Sequence, residues 1–545
     1  MDSRLVIDTG VLLLYFIIII FIGLRMGRKE DNLEDFALGG RRIPWWAVLA
    51  SLIAAETSAG TFFGTPGEGF SHRDYTYLQL AFGTIIGRIL VSYIFIKPYY
   101  DYRVFSIYEY LTARFGVASK NAASAVFMIT RLLASGARLY VAAIALALAY
   151  EMIAGARPNQ TQTLWIYIGA TVAIVILTAI YTTFGGIKAV IWTDLIQASI
   201  MIGSALIALG LLYSAIPGGW QEIVERHGPF HVSDLIATGL DPAKSGWDKW
   251  KGMFETEYTI FAGLIGAVFI TMGTHGTDQD MVQRMLTAKD VRRSRRSLIL
   301  SGLADIPIAF TFLSIGLLLW VYYQAHPDPT LPKSPNETFC HFILYEMPVG
   351  LRGLLLAGIF ATAMGSLSTA LNALATSFTR DWYEPYINPG ATDAQSLRAV
   401  RWATIWFSVL MIVVASTTAY LVIVHPNLRI IPIVLGIFGY TYGSLLGVFF
   451  AGMLTKNRGN DFGNILAMIL GFIFVAVLSG LPNNIARIFG TKLYEQPDWL
   501  PVMEFPWWIF FGTLLTFAIA VLFKTSHAQL AINKTGGEAA ARHPG

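Results

Sequence analysis

The chain has 545 residues, of which 55% are hydrophobic and only 14% are charged, and its mean hydropathy is +0.55. These values lie far from the balance of a soluble globular domain and predict an all-α polytopic membrane protein. The formal net charge of +4 gives no reason to expect a nucleic-acid partner, and the single cysteine, Cys340, rules out an intrachain disulfide.

Apolar runs of bilayer length recur between Val6 and Phe523, and each is bounded by charges, proline or glycine. They predict about 13 transmembrane helices, at residues 6–26, 44–70, 76–101, 121–151, 162–184, 189–213, 257–282, 297–324, 348–378, 399–424, 430–455, 462–481 and 505–523.

Basic residues cluster in the loops after the first and the seventh predicted spans, which indicates that both loops are cytoplasmic. Because the number of spans is odd, we expect the amino terminus outside and the tail at residues 524–545 in the cytoplasm. We expect a plasma membrane, and the low cysteine count and the absence of long loops favour a bacterial inner membrane.

The second predicted span is apolar at both ends but small and polar at its centre, residues 56–61. Small polar residues and glycine in mid-membrane favour an unwound turn, whose carbonyls can coordinate a cation. A kinked packing helix is the alternative interpretation. Two carboxylates, Glu56 here and Asp194 in the sixth span, are functional candidates because buried acids are costly in a membrane.

Arg138 falls near the centre of the fourth predicted span. An unpaired guanidinium there costs about 3 kcal/mol by insertion scales, so it must meet an acid, a polar cavity or an anionic substrate. Its planar fork suits a carboxylate. Alternatively, Glu56 and Asp305 neutralise Arg138 and Arg88, which leaves the substrate undefined.

The ninth predicted span carries several hydroxyl groups in its middle. Thr362, Ser366 and Thr369 lie on one helical stripe, and Ser368 lies on the adjacent row. Such a stripe can line a site for a small cation. The alternative is a packing surface, with each hydroxyl bonded to a carbonyl of the preceding turn.

Five motifs in order resemble the sodium/solute symporter family, which includes sodium-coupled sugar, proline, iodide, monocarboxylate and sialic acid carriers. They occupy residues 36–64, the Gly-Gly-Ile-Lys-Ala-Val stretch at 185–190 with Asp194, and residues 276–289, 361–381 and 443–447. The resemblance spans roughly residues 36–460. It implies the LeuT-type fold of two inverted five-helix repeats.

Applied to this chain, the resemblance implies six segments. They are an extra helix and cytoplasmic loop at 1–43, a first inverted repeat at 44–213, an outer loop at 214–256, a second repeat at 257–455, two further helices at 456–523, and a tail at 524–545.

The resemblance also implies a sodium site made by the carbonyls of Ala54, Thr57 and Thr362 and the hydroxyl of Ser366. Many members have a hydroxyl where this chain has Gly365. We hypothesise that Glu56 compensates for that lost ligand; the alternative is a structural glutamate paired with an intramembrane arginine.

A second sodium site, present in some members, would use Asp194 with Ser368 and Thr369. All three residue types are retained. Alternatively, Asp194 caps helix amides or pairs with Arg131.

Substrate candidates by position are Ser58, Thr61, Gln79, Arg138, His275 and Asp305. The hydroxyl-binding pattern of the sugar carriers is absent. Sialic acid carriers use an arginine on the same helix as Arg138, and Thr61 also fits their pattern, so we favour a carboxylate or sugar acid as the solute. A lone membrane histidine such as His275 is more often a packing group than a proton relay.

We therefore predict a sodium-coupled symporter that imports a small organic solute by alternating access. One alternative is proton coupling through Glu56 or Asp194, and another is a transporter-like solute sensor. The sequence contains no P-loop, zinc-ligand cluster or nucleophilic triad, so we do not expect an enzyme. The expected partners are the solute, the sodium ion and the bilayer, with no obligate protein partner.

Overall fold

The computed structural model describes residues 3–27, 32–154, 158–424, 436–486, 491, 493–494, 497 and 500–530. Within these ranges the chain is almost entirely helical and forms no named β-strand; its two isolated bridges join Ile43 to Ala288 and Arg458 to Lys524. Residues 430–435 of the eleventh predicted span and 531–545 of the predicted tail lie outside the described residues.

The first half of the chain forms eleven α-helices and an outer loop. In chain order they are α1 (Ser3–Met26), α2 (Leu33–Leu38), α3 (Trp45–Glu56), α4 (Ala59–His72), α5 (Leu78–Ile94), α6 (Ile96–Asp101), α7 (Glu109–Arg114), α8 (Val117–Ala154), α9 (Gln160–Ala215), α10 (Trp220–His227) and α11 (Gly246–Glu255).

The second half begins with a π-helical turn, Ala262–Ala267, and a second π-helical segment, Thr379–Ile387, extends the central helix α16. Its α-helices are α12 (Val268–Gly276), α13 (Gln279–Leu286), α14 (Val291–Ala325), α15 (Pro335–Tyr345), α16 (Leu351–Phe378), α17 (Asp393–Val424), α18 (Ile437–Leu454), α19 (Asp461–Leu478), α20 (Leu481–Ala486) and α21 (Phe505–Leu522).

Ten helices in the described part of the chain are long and apolar enough to cross a membrane, or eleven if the bent pair α3–α4 is one span. Helix α9 has 56 residues, about 84 Å at 1.5 Å per residue, which is more than twice the thickness of a hydrocarbon core. If α9 makes two passes and the shorter apolar helix Ala262–Gly276 makes one, the count equals the 13 predicted.

The predicted gap between spans 162–184 and 189–213 is a kink rather than a loop. Gly186 has φ 50° and ψ −153°, a conformation that only glycine adopts without strain. A Cβ there would lie 2.6 Å from the carbonyl oxygen of Phe36 in α2. The kink therefore lets the two halves of α9 turn while α2 packs closely against the turn.

We expect Gly186→Ala to lower the free energy of unfolding by about 1–3 kcal/mol from backbone strain alone, with the clash against Phe36 in addition. Gly203→Ala is the matched control, because Gly203 is helical in the same α9 and has nothing within 4 Å of its Cβ position. The control should match or exceed the wild-type stability. Thermal unfolding of the two variants in one detergent measures the difference, and equal melting temperatures would contradict the strain argument.

Helix α16 lies at the centre of the bundle, and 83% of an apolar 18-residue stretch of Leu351–Ile387 is buried. It packs against α1, α3, α4, α8, α9 and α17. The broken pair α3–α4 is therefore held beside the middle of α16. This packing brings the polar centre of the second predicted span to the hydroxyl-rich helix.

Candidate solute and ion site

The break between α3 and α4 frees backbone carbonyls beside α16. The chain changes direction by 61° between the two helices. The Ser58 amide, which would bond to the Ala54 carbonyl in a continuous helix, donates to Glu56 instead (2.9 Å), and the Thr61 amide donates to Ser58 rather than to Thr57. The carbonyls of Ala54 and Thr57 thus lose their helical partners, as the sequence predicts for a broken span.

A cavity of about 400 Å³ opens at this break. Its volume lies in the range of small-molecule sites. Predicted residues that line it are Glu56, Thr57, Ser58, Thr61, Arg138, His275, Asp305 and Ser366.

The cavity lining includes an acidic cluster built around Arg88. The Arg88 Nη2 atom lies 2.5 Å from each oxygen of Glu56 and 2.6 Å from Oδ2 of Asp305. The Nε2 atom of His275 lies 2.5 Å from Glu56 Oε1. Two carboxylates share one guanidinium here, so the cluster carries one surplus negative charge when His275 is neutral.

The pairing in this cluster supports the structural alternative for Glu56. Both carboxylates contact Arg88, and neither forms an ion pair with Arg138 within the described residues. The alternative that Glu56 and Asp305 neutralise Arg138 and Arg88 is therefore confirmed for Arg88 and wrong for Arg138. Glu56 already serves Arg88 and His275, which weighs against its acting as the substitute ligand for Gly365.

Arg138 lines the same cavity and forms no ion pair among the described residues, although Asp280, which is paired with Arg131 and Arg284, also lines it. Its guanidinium carbon lies 4.6 Å from the ring centroid of Phe438. In the part of the chain that the structure describes, no carboxylate forms an ion pair with it. A cation stacked on an aromatic ring, with its donors unused by protein acids, is suited to an anionic ligand.

The hydroxyls of α16 lie where the sequence predicts an ion site. The Ser366 hydroxyl lines the cavity and bonds to the Thr362 carbonyl at 3.1 Å. The Ala54 carbonyl oxygen lies 3.7 Å from the position that a Cβ of Gly365 would occupy. The broken helix and α16 therefore face each other through oxygen atoms, which a hard cation prefers.

Two more oxygens converge on the space beside Gly365. A Cβ at Gly365 would lie 3.0 Å from Gln197 Oε1 and 3.6 Å from Asp194 Oδ1. Both oxygens are buried without a hydrogen bond of normal geometry in the described structure, although Gln197 approaches the hydroxyls of Tyr15 and Tyr181. A hydroxymethyl group at position 365 would crowd these atoms, which explains why glycine fits here.

Asp194 does not pair with Arg131, so that alternative is wrong. Its Oδ2 atom accepts a hydrogen bond from Ser51 at 2.5 Å, and Arg284 Nη2 lies 3.5 Å away. Arg131 instead pairs with Asp278 and Asp280. Asp194 is thus held by Ser51 and Arg284, and its Oδ1 atom has no hydrogen-bond partner among the described residues.

The remaining predicted residues are placed as follows. Gln79 does not line the cavity: its amide nitrogen donates to the carbonyls of Thr76 and Tyr258, and its oxygen accepts from the Ala237 amide. The Ser368 hydroxyl donates to Gly365, and no described hydrogen bond joins it to Asp194.

Thr369 turns towards a different acid. Its hydroxyl lies 3.4 Å from Asp280 Oδ2 and 2.9 Å from the Ser366 carbonyl. Asp280 in turn binds Arg284 at 2.6 Å. Sequence reasoning missed this ion pair between Asp280 and Arg284, although both residues lie within the 276–289 motif.

A broken helix beside a hydroxyl-rich central helix, with a small polar cavity between them, defines a membrane transporter of the alternating-access class. A comparison with family models places residues 36–471 in the sodium:solute symporter family. The chain belongs to this family, whose members are transporters rather than enzymes, and the resemblance seen in the sequence is confirmed.

Individual relatives agree with this assignment. The chain is 28% identical over 507 residues to the sodium/sialic acid symporter SiaT of Proteus mirabilis, covering 90% of this chain and 95% of the relative. It is 27% identical to the sodium/sialic acid symporter NanT of Aliivibrio fischeri, covering 87% and 88%. It is also 27% identical to mouse sodium/myo-inositol cotransporter 2, covering 94% of this chain and 75% of the relative.

Solved structures confirm the fold class. The substrate-bound, outward-open structure of a sodium-coupled sialic acid symporter matches with a TM-score of 0.77 at 25% identity, covering 95% of this chain and 97% of that one. Mhp1, a nucleobase-cation-symport transporter, matches with a TM-score of 0.51 at 12% identity, covering 92% and 98%. The protein has the LeuT-type fold.

Proposed function

We propose that this protein is a sodium-coupled symporter that imports a small organic acid, of the carboxylate or sugar-acid class, by alternating access. The observation that carries the proposal is Arg138, which lines the cavity with no acidic partner among the described residues. A carboxylate would supply the charge that Arg138 lacks and could accept two parallel hydrogen bonds. The sialic acid symporters among the relatives take solutes of this class.

Other residues that line the cavity suit the rest of such a solute. Asp305 is 24% exposed and Glu56 is 18% exposed, so both carboxylates reach the cavity while holding Arg88. Carboxylate oxygens accept hydrogen bonds from hydroxyl or amide groups. Thr61 and Ser58 add hydroxyls to the cavity lining. A solute that combines an acid with several hydrogen-bond donors therefore complements these residues.

Sodium is the proposed coupling ion. The first proposed site would consist of the carbonyls of Ala54, Thr57 and Thr362 with the Ser366 hydroxyl, as the family resemblance implies. We propose that a second cation site uses Asp194, with Gln197 rather than Ser368 and Thr369 as the neighbouring ligand, because the two free oxygens meet beside Gly365. Filling either site would hold the broken helix against α16, which links ion binding to the conformation that accepts solute.

For its location, we propose a bacterial inner membrane with the amino terminus outside and residues 524–545 in the cytoplasm. The basic clusters after the first and seventh predicted spans support this orientation. Two of the relatives are bacterial.

Uptake into proteoliposomes tests the function. We expect an inward sodium gradient, and not an equal potassium gradient, to drive accumulation of N-acetylneuraminate or another sugar acid from a panel that also contains lactate, glucuronate and neutral myo-inositol. Uptake of myo-inositol alone would overturn the carboxylate assignment. Accumulation driven by a pH gradient without sodium would favour proton coupling instead.

Sodium binding is expected to raise the melting temperature of the detergent-purified protein relative to equal potassium, because a ligand that binds only the folded state stabilises it by about 2.7 kcal/mol at a hundredfold its Kd. Ser366→Ala should reduce this rise. Ser408→Ala is the matched control, since Ser408 is a buried hydroxyl bonded to its own helix at 2.8 Å, far along the chain from the break. An undiminished sodium effect in Ser366→Ala would remove Ser366 from the site.

A further inference from the structure

A groove of about 600 Å³ lies on the outer surface of the bundle, between the end of α16 and the first turns of α17. Its walls include Phe378, Arg398, Trp402, Trp406 and Leu410. Trp402 is 62% exposed and Trp406 is 65% exposed. In a transporter that spans a bilayer, such an exposed aromatic face contacts lipid.

The opposite face of α17 is committed to the protein interior. Leu397 and Val400 are buried in a cluster with Leu33 and Phe36 of α2, and α17 also packs along α8 and α9. The groove therefore faces outward. The contact with α2 places the start of α17 on the membrane side that carries the basic loop before α3.

Two arginines at the start of α17 lack acidic partners. Arg398 is exposed, and the buried Nε atom of Arg401, one turn further, has no hydrogen-bond acceptor in the described structure. Neither forms an ion pair with a described carboxylate. Neighbouring acids are engaged or exposed: Glu384 binds Arg380 and Ser396, Asp381 accepts from Ser106 and Ser124, and Asp393 is exposed at the first turn of α17.

The groove has the length of one lipid leaflet. From Arg398 to Leu410 the helix rises about 18 Å at 1.5 Å per residue, and half of a 30 Å hydrocarbon core is about 15 Å. Positive charge stands at one end of this length, and Trp402, Trp406 and Leu410 follow it. This order matches a phospholipid lying along the helix, with its headgroup at the arginines.

We propose that this groove binds an anionic phospholipid, with the headgroup phosphate on Arg398 and an acyl chain along Trp402, Trp406 and Leu410. Arg401, one turn along α17 and outside the groove lining, adds positive charge beside the headgroup. The surplus positive charge selects an anionic headgroup over a zwitterionic one. The site is separate from the transport cavity. It therefore stands whether or not the proposed solute is correct.

Native mass spectrometry of the full-length, delipidated protein tests the site, with palmitoyl-oleoyl phosphatidylglycerol as the probe and phosphatidylcholine of the same chains as the comparison. The test variant is Arg398→Gln/Arg401→Gln. The control variant is Arg292→Gln/Arg293→Gln, which removes the same charge from exposed positions in the first turn of α14. Each variant is first shown to retain the wild-type melting temperature without lipid, and Trp402→Ala/Trp406→Ala examines the apolar part of the groove separately.

We expect phosphatidylglycerol to bind the wild type and the control equally, and to bind the test variant about thirtyfold more weakly, at roughly 1 kcal/mol per arginine. The tryptophan variant should also bind it more weakly. Equal retention by the test variant and the control would overturn the proposal, as would equal binding of phosphatidylcholine. Inorganic phosphate competing as well as the lipid would show an anion site without a lipid chain, which also contradicts it.

Discussion

We expect Arg138→Lys to weaken sodium-driven uptake of a carboxylate solute strongly while leaving the protein folded. Lysine keeps the positive charge, but it loses the planar fork that binds both oxygens of a carboxylate. It also loses the flat contact with Phe438, whose ring centroid lies 4.6 Å from the Arg138 guanidinium. A lost hydrogen bond to a charged group is worth about 1.5–3 kcal/mol, so the affinity for the solute should fall by about 10- to 100-fold.

Arg296→Lys is the matched control for this experiment. Arg296 also stacks on an aromatic ring, 3.9 Å from the centroid of Trp45, but it does not line the cavity. Its replacement should leave uptake close to wild type. The measurement is the concentration dependence of uptake into proteoliposomes for a carboxylate and for its neutral amide. Normal carboxylate uptake by Arg138→Lys would refute the role of Arg138, and an equal loss for both solutes would indicate a structural effect.

The second large effect is expected at Arg88. Arg88→Met removes the one guanidinium that Glu56 and Asp305 share and leaves two carboxylates uncompensated inside the bundle. Removing one partner of a buried ion pair costs about 3–5 kcal/mol. We therefore expect a large fall in the melting temperature and a poor yield of folded protein.

A charge-neutral triple variant separates the electrostatic effect from lost packing. Arg88→Met combined with Glu56→Gln and Asp305→Asn removes all three charges and keeps similar shapes, so it should recover most of the stability lost in Arg88→Met. If the triple variant melts as low as the single one, packing and not charge explains the loss. The triple variant should still fail to transport, since the carboxylates of Glu56 and Asp305 that line the cavity are gone.

Glu56→Gln alone distinguishes the two interpretations of that residue. The structure places Glu56 against Arg88 and His275, so the substitution leaves Arg88 paired one to one with Asp305. We expect an unchanged sodium affinity, measured as the sodium concentration that gives half of the thermal stabilisation. A clear loss of sodium affinity would restore the hypothesis that Glu56 replaces the ligand missing at Gly365.

Local chemistry made the broken helix predictable. Polar side chains and glycine at residues 56–61 interrupt an apolar run and weaken the local preference for a helix. The helix breaks there, and α3 and α4 are bent by 61° relative to each other. The kink at Gly186 was visible only as a glycine pair. The close approach of the kinked α9 to Phe36 depends on a contact between segments about 150 residues apart, which the sequence does not reveal.

The sequence predicted most of the residues that line the candidate site, but not the groups that each side chain contacts. Thr61 and Arg138, expected from their positions in the family fold, and Ser366, expected from its helical stripe, all line one cavity. Gln79 was expected there by position as well, yet its side chain bonds to the backbone at Tyr258 and Ala237. A glutamine side chain can bind a solute or bond to the backbone, and only the segments packed around it decide which it does.

The sequence by itself determined the membrane class, the approximate helices, the family and the residues that carry charge into the bilayer. The membrane class, the helices and the charged positions follow from hydrophobic length and from the cost of burying polar groups, which are local properties of the chain, and the family follows from the five motifs that resemble it. Tertiary structure decided how the charges pair: Arg88 takes both Glu56 and Asp305, Arg284 lies beside Asp194, and Arg138 stacks on Phe438 without an ion pair among the described residues. Coulomb energy depends on a few ångströms between helices that are distant in sequence, so only their packing could settle it.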